Sequence, residues 1–183
     1  DIIISQPSHP WTAGASHLFT REYMALARSR LREGGILLQW MNAEFVDEEL
    51  LRDLVYTLLI EFEHVRVIQA SPMALHIYAS DRPLDIENNL SAAAELIYSD
   101  PVHFGRMGIN SVFDLLAAIV LDEAGATAFA ANGRAIVDDD NRMATRSRLY
   151  GDGLSYTRQM EILSPWDPLL NSESLRVNSM QPD

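Results

Sequence analysis

The chain contains no cysteine and no lysine among its 183 residues. Without thiols there are no disulfides and no thiolate metal sites, and the redox compartment is left open. Without lysine there is no amine for Schiff-base chemistry; all 14 basic residues are arginine. Basic charge is scarce as well, with 14 basic against 26 acidic residues and a formal net charge of −12. Such a surface repels a phosphate backbone, which argues against nucleic acid as a partner and is compatible with cationic small molecules. No apolar run approaches the roughly 20 residues of a membrane span, and no signal peptide is visible. Nor does any G-x-G-x-x-G follow a strand; the "GDG" at 151–153 reads as a loop. The five histidines (His9, His17, His64, His76 and His103) have no H-E-x-x-H spacing. The run Asp138, Asp139, Asp140 lacks the spacing and distal glutamate of a calcium loop and reads as a turn.

What is present is a globular composition, 48% hydrophobic, of a size for one domain. "III" at 2–4 is a β-branched run without alternation, expected as a short strand buried on both faces. Pro7 and Pro10 stop it near Ser5 and open a loop. "SHLFTREYMALARSRLREGG" (16–35) follows as a helix capped by Ser16, with an apolar stripe that includes Leu18, Met24, Leu26 and Leu31. "ILLQWM" is a second buried strand, so strand, helix and strand make a right-handed parallel crossover. Asp47 caps a helix running to about Phe62, and "HVRVIQAS" and "ALHIYAS" form a hairpin turning at Ser71 and Pro72. Beyond Pro83 only helices are expected, with "SVFDLLAAIVLDEAG" (111–125) among them. Asp1 stands directly before a strand, so the chain is expected to be the carboxyl-terminal part of something longer.

Ligands of open α/β sheets collect beyond the carboxyl ends of the strands. That rule draws attention to the loop "QPSHPW", residues 6–11. Gln6 offers an amide at the strand tip, and His9 offers an imidazole, a base suited to neutral pH. Ser8 lacks a base and oxyanion pattern and reads as a turn former. Trp11 is expected to pack on the following helix, and Gln39 ends the neighbouring strand at the same sheet edge.

"DIIISQPSHP" resembles the D-x-I-I-x-D-S-S-D-P segment of the polyamine aminopropyltransferase family, of which spermidine synthase is the familiar member. "ISQPSHPWTAGASHLFTREY" is similar to I-S-E-P-S-N-P-W-x-A-G-x-x-x-L-F-T-R-E-F in bacterial spermidine-synthase-like proteins, often fused to membrane domains. "RMGINSVFDLLAAIVLD" and "AIVDDDNRM" look like the helical extension of those proteins and its N-T-D-D-x-P turn, so the resemblance covers roughly residues 1–148. It implies an α/β fold, the carboxyl-terminal half of a Rossmann-like class I S-adenosylmethionine-dependent methyltransferase fold. Residues 1–83 would be strands 4 to 7 of that domain, 84–148 a helical extension and 149–183 a polar tail. The glycine-rich cofactor loop and the acid that holds the ribose would lie before Asp1. This fragment alone would then bind no cofactor, and decarboxylated S-adenosylmethionine or S-adenosylmethionine would be the donor substrate of the full-length protein.

The implied acceptor is a small-molecule amine or polyamine, held at Gln6, Pro7, Ser8 and His9. The resemblance also implies a cytoplasmic setting, either free or as the cytoplasmic domain of a membrane protein, and admits a homodimer. Aminopropyl transfer requires an amine that has lost its proton, and in the family the first aspartate of D-S-S-D takes it. Gln6 occupies that position and an amide accepts no proton at neutral pH; His9 stands at the second aspartate. The tyrosine that the family uses on the diamine has no match in 70–73. Two rival readings stand beside the leading one. The first is a methyltransferase acting on another acceptor, which alignment alone would serve. The second is a non-catalytic ligand-sensing or interaction domain.

Overall fold

A computed structural model describes residues 1–7, 9–12, 14–147 and 153–171. Five strands form one sheet in the order β1-β2-β4-β3-β5: β1 (Ile2–Ser5), β2 (Ile36–Asn42), β3 (His64–Ser71), β4 (Ala74–Ser80) and β5 (Ile119–Leu121). Among the described strands only β1 and β2 run parallel, joined by a crossover through α1 (Arg21–Arg30). After β2, α2 (Glu48–Glu61) crosses back and the β3–β4 hairpin inserts β4 antiparallel between β2 and β3. This is an α/β architecture with a mixed sheet, as expected. Pro72 and Met73 make the hairpin turn.

The core lies between one sheet face and the helices α1 and α2. Leu37, Met41, Val65, Leu75 and Ile77 meet Met24, Leu50, Leu54, Val55 and Leu58, all fully buried. Each such side chain contributes about 1.5–3 kcal/mol of transfer free energy. Alternation in β2 carries this: Leu37, Gln39 and Met41 point to the helices, while Ile36, Leu38 and Trp40 point to the other face. The Asp47 carboxylate accepts from Leu50 N–H at 2.8 Å and starts α2 where the sequence indicates.

Several expectations are corrected. Ile2 and Ile4 are 64% and 67% exposed, so β1 is not buried on both faces. It pairs only with β2 among the described strands, and nothing described covers its outer face. The 16–35 helix is broken: a 3-10 turn, Ala15–Phe19, precedes Thr20, whose extended backbone (φ −86°, ψ 159°) starts α1 afresh. The break lets Arg21 N–H reach Ile136 O at 2.8 Å, and it turns Leu18 and Leu26 toward solvent.

Strands do not cease at Pro83. The stretch expected as one helix is α5 (Val112–Ala117), β5 and α6 (Glu123–Phe129). Ile119, Val120 and Leu121 are buried, the first two are β-branched, and β5 pairs antiparallel to β3. Asp122 then caps α6 through Gly125 N–H at 2.7 Å. Helices α3 (Leu90–Ser99), α4 (Pro101–Arg106) and α7 (Arg142–Arg146) complete the extension.

Residues 153–171 do not behave as a polar tail. They form α8 (Tyr156–Leu163) and a 3-10 turn, and Leu154, Ile162 and Leu163 enter the core. Leu154 N–H bonds Ala43 O and Val46 O at 3.1 and 3.0 Å. A Cβ on Gly153 would lie 2.0 Å from Glu44 O, so only glycine permits this approach. Among the described residues, no helix is long and apolar enough to cross a membrane.

Candidate functional site

The parallel pairing of β1 and β2 sets their carboxyl ends side by side, with Ser5 in register with Gln39. Both side chains face the core, and both are buried. Gln39 donates an N–H to Trp40 O at 3.2 Å, but its Oε1 and the Ser5 Oγ have no partner among the described residues. Gln39 therefore sits beneath the sheet edge as a buried amide rather than on it.

Beyond Ser5 the chain leaves the sheet. Gln6 is exposed, Pro7 buried and His9 exposed, while Ser8 lies outside the described residues. Successive turns bring the loop back, with Thr12 N–H donating to His9 O and Ala15 N–H to Thr12 O, each at 2.9 Å. Gly14 closes it at φ +86°, a left-handed conformation that favours glycine.

The fold-back gathers aromatic rings from both strand tips. Phe45 ends a 3-10 turn after β2 that Asn42 caps by accepting from Glu44 N–H at 3.0 Å. At 3% exposure it is a fixed post. Trp11 meets it edge to face at 4.9 Å, and Trp40 lies 6.4 Å away. The His9 ring stacks over Phe45 at 6.1 Å and meets Trp11 edge-on at 5.2 Å. Trp11 thus packs on Phe45, in addition to any role beside the following helix. Phe45 has no motif in the sequence; only its place just after a strand tip marks it.

Gln6 forms no hydrogen bond to a described residue and remains available to a ligand. The arrangement offers a neutral amide, an imidazole and aromatic faces. Aromatic faces attract cations by about 0.5–1 kcal/mol at exposed sites. No carboxylate is among the four candidate residues.

Two of the remaining histidines are engaged elsewhere. His17 Nδ1–H donates to Asp138 at 2.8 Å, binding the 3-10 turn to the acidic run. His64 Nδ1–H donates to Glu123 at 2.7 Å. Burial acts to raise the Glu123 carboxyl, but His64, the Leu84 N–H and Arg66 outweigh it and hold it below the usual glutamate value. No group of three or more metal-ligating side chains occurs among the described residues.

A cavity of about 860 Å³ lies on the opposite sheet face, lined by Ile36, Ile68, His76 and Tyr78 and roofed by α3 and α5; Gln6 and His9 do not line it.

The strand order and the single parallel pair define the molecule as an α/β protein with a mixed sheet. A solved structure described as a probable spermidine synthase from Corynebacterium glutamicum ATCC 13032 shares this fold, with TM-score 0.50 and 21% identity over 75% of this chain. The match takes in 47% of that protein, so the chain spans about half its length. No family model and no curated protein matches the sequence.

Proposed function

We propose that the chain is the carboxyl-terminal portion of a spermidine-synthase-like transferase domain of the class I methyltransferase fold. Its chemistry would be alkyl transfer from an S-adenosylmethionine-type donor to an amine. The observation that carries this is the pairing of β1 and β2, which brings the "QPSHP" loop to the sheet edge in a fold shared with a probable spermidine synthase. On this reading the donor is held by a segment ahead of Asp1. The acceptor amine meets Gln6 and the His9 and Trp11 rings, which pack on the buried Phe45.

The residues assign roles by their chemistry. The Gln6 carbonyl can accept a hydrogen bond from an ammonium group and orient it, but cannot take its proton. The His9 imidazole is the base within this loop, and the aromatic faces favour a cation. In-line displacement at the carbon next to a sulfonium requires a free amine lone pair, so loss of the acid slows the step that the family performs.

The test uses the full gene product. It is supplied with decarboxylated S-adenosylmethionine and putrescine, and separately with S-adenosylmethionine and an amine panel, with products followed by mass spectrometry. Aminopropylated or methylated amine supports the proposal. Donor binding without product marks a domain that has kept the fold and lost the chemistry. Absence of donor binding overturns it.

A further inference from the structure

The sheet face turned away from α1 and α2 is roofed by α3, α5 and the turn at 107–109, leaving the cavity of about 860 Å³. That volume falls within the roughly 300–1,000 Å³ of small-molecule sites. Its walls are chiefly apolar, from Ile36, Ile68, Leu90, Ala93 and Leu115. Two polar side chains rise from the floor. His76 and Tyr78 lie two residues apart on β4, so both project to this face, with ring centroids 6.3 Å apart. Neither makes a hydrogen bond to a described residue, and each is half-buried.

The other polar groups around the cavity are already engaged. Asp114 accepts from Asn110 and Ser111 N–H at 2.8 and 2.9 Å. Ser80 Oγ–H donates to Gly35 O at 2.9 Å, and Arg82 pairs with Glu33. Asp85 holds Asn88, and Gln69 bonds Ser71 O and Gln159. Beside the acceptor positions these groups keep, the polar side chains without a hydrogen bond to a described residue are one phenol and one imidazole. Burial pushes His76 down and Tyr78 up, so both are neutral at pH 7. The Asp85 and Asp114 carboxylates in the lining would repel an anion, and the apolar walls would strip hydration from an ion of either sign.

We infer that this cavity binds a neutral, largely apolar small molecule that presents a hydrogen-bonding group to Tyr78 and His76. The site is separate from the β1 loop and does not depend on the proposed transferase chemistry.

The test is a fluorescence titration of the 183-residue chain with N-phenyl-1-naphthylamine, a neutral probe that brightens in apolar surroundings. Saturable binding of one probe per chain is expected. Ala93→Trp and Leu115→Trp fill the cavity from two different helices and should each weaken binding at least about tenfold. Circular dichroism checks that they remain folded. Phe113→Ser, at a side chain 75% exposed outside the cavity, should leave affinity within about twofold. The polar half of the assignment is read by displacement. Relative to 2-methylnaphthalene, 2-naphthol should gain about three- to tenfold in the wild type, and the double variant His76→Phe, Tyr78→Phe should abolish that gain. Non-saturable binding, an unchanged titration in the folded filled variants, an equal loss in Phe113→Ser, or a naphthol gain that survives the double variant would each overturn the inference.

Discussion

The Arg142 guanidinium and the Asp53 carboxylate meet in the buried seam between α7 and α2, their side chains 7% and 1% exposed. Asp53 also accepts from Arg134 N–H at 2.8 Å, and Arg142 reaches Glu49. One carboxylate thereby ties two positions of the chain, Arg134 and Arg142, to the central helix. Burial pushes the Asp53 carboxyl up, and the Arg134 N–H and Arg142 oppose that push. Removing one partner leaves a buried group unmatched. Arg142→Met is expected to cost about 3 kcal/mol, and Asp53→Leu combined with Arg142→Met to recover part of the loss. Denaturant unfolding of both variants measures this.

Stability should fall in acid through Glu123. Its carboxyl titrates below the usual glutamate value in the folded chain. A depressed folded value means stabilisation that is present above the unfolded pKa of about 4.3 and is lost as pH falls through the folded one. The melting temperature of the wild type should drop across that window. Glu123→Gln should melt lower at pH 7 and show a shallower acid slope.

The departure at Gln6 is testable by reversal. If the proposed transferase reading holds, Gln6→Asp in the full gene product returns a proton acceptor to the strand tip. Aminopropyl transfer is then expected to rise by about 100-fold or more, in line with general-base contributions. The gain should appear in kcat and follow the carboxylate's ionisation in a pH profile. His9→Asn in the wild-type background should lower whatever residual rate exists.

The exposed side chains of β1 predict association. Ile2 and Ile4 present apolar surface on an edge strand with a free side among the described residues. Ile4→Lys should reduce light scattering of the 183-residue chain several-fold at equal concentration. A melting temperature within a degree or two of the wild type shows that the change acts on association rather than folding.

How far the sequence reveals the molecule depends on the kind of signal. The apolar run "ILLQWM", the alternation in "HVRVIQAS" and "ALHIYAS", the Asp47 cap and the short turn at Pro72 are local, so β2, α2 and the hairpin are legible. Burial of β1 is not, because three isoleucines report β propensity and not what lies on each side of them. The short strand at Ile119 hides inside a helical pattern, since a buried apolar run of three has no period of its own. The loop residues Gln6 and His9 stand out by their place after a strand. Phe45 and the pair His76 and Tyr78 need the tertiary arrangement, because they matter only through which face the pleat assigns them and what covers it.

The placement of β4 between β2 and β3 has a consequence for the order of assembly. The hairpin supplies two interior strands from neighbouring sequence, whereas Ile2 must find Ile36 across the whole crossover. Short-range pairing closes sooner than long-range pairing, and β1, held by β2 alone among the described strands, opens early in amide exchange. That strand carries Gln6 at its tip. Fraying there would dismantle the loop while the hairpin and its cavity stay intact, so the two sites of this chain would lose their shape at different points along one unfolding path.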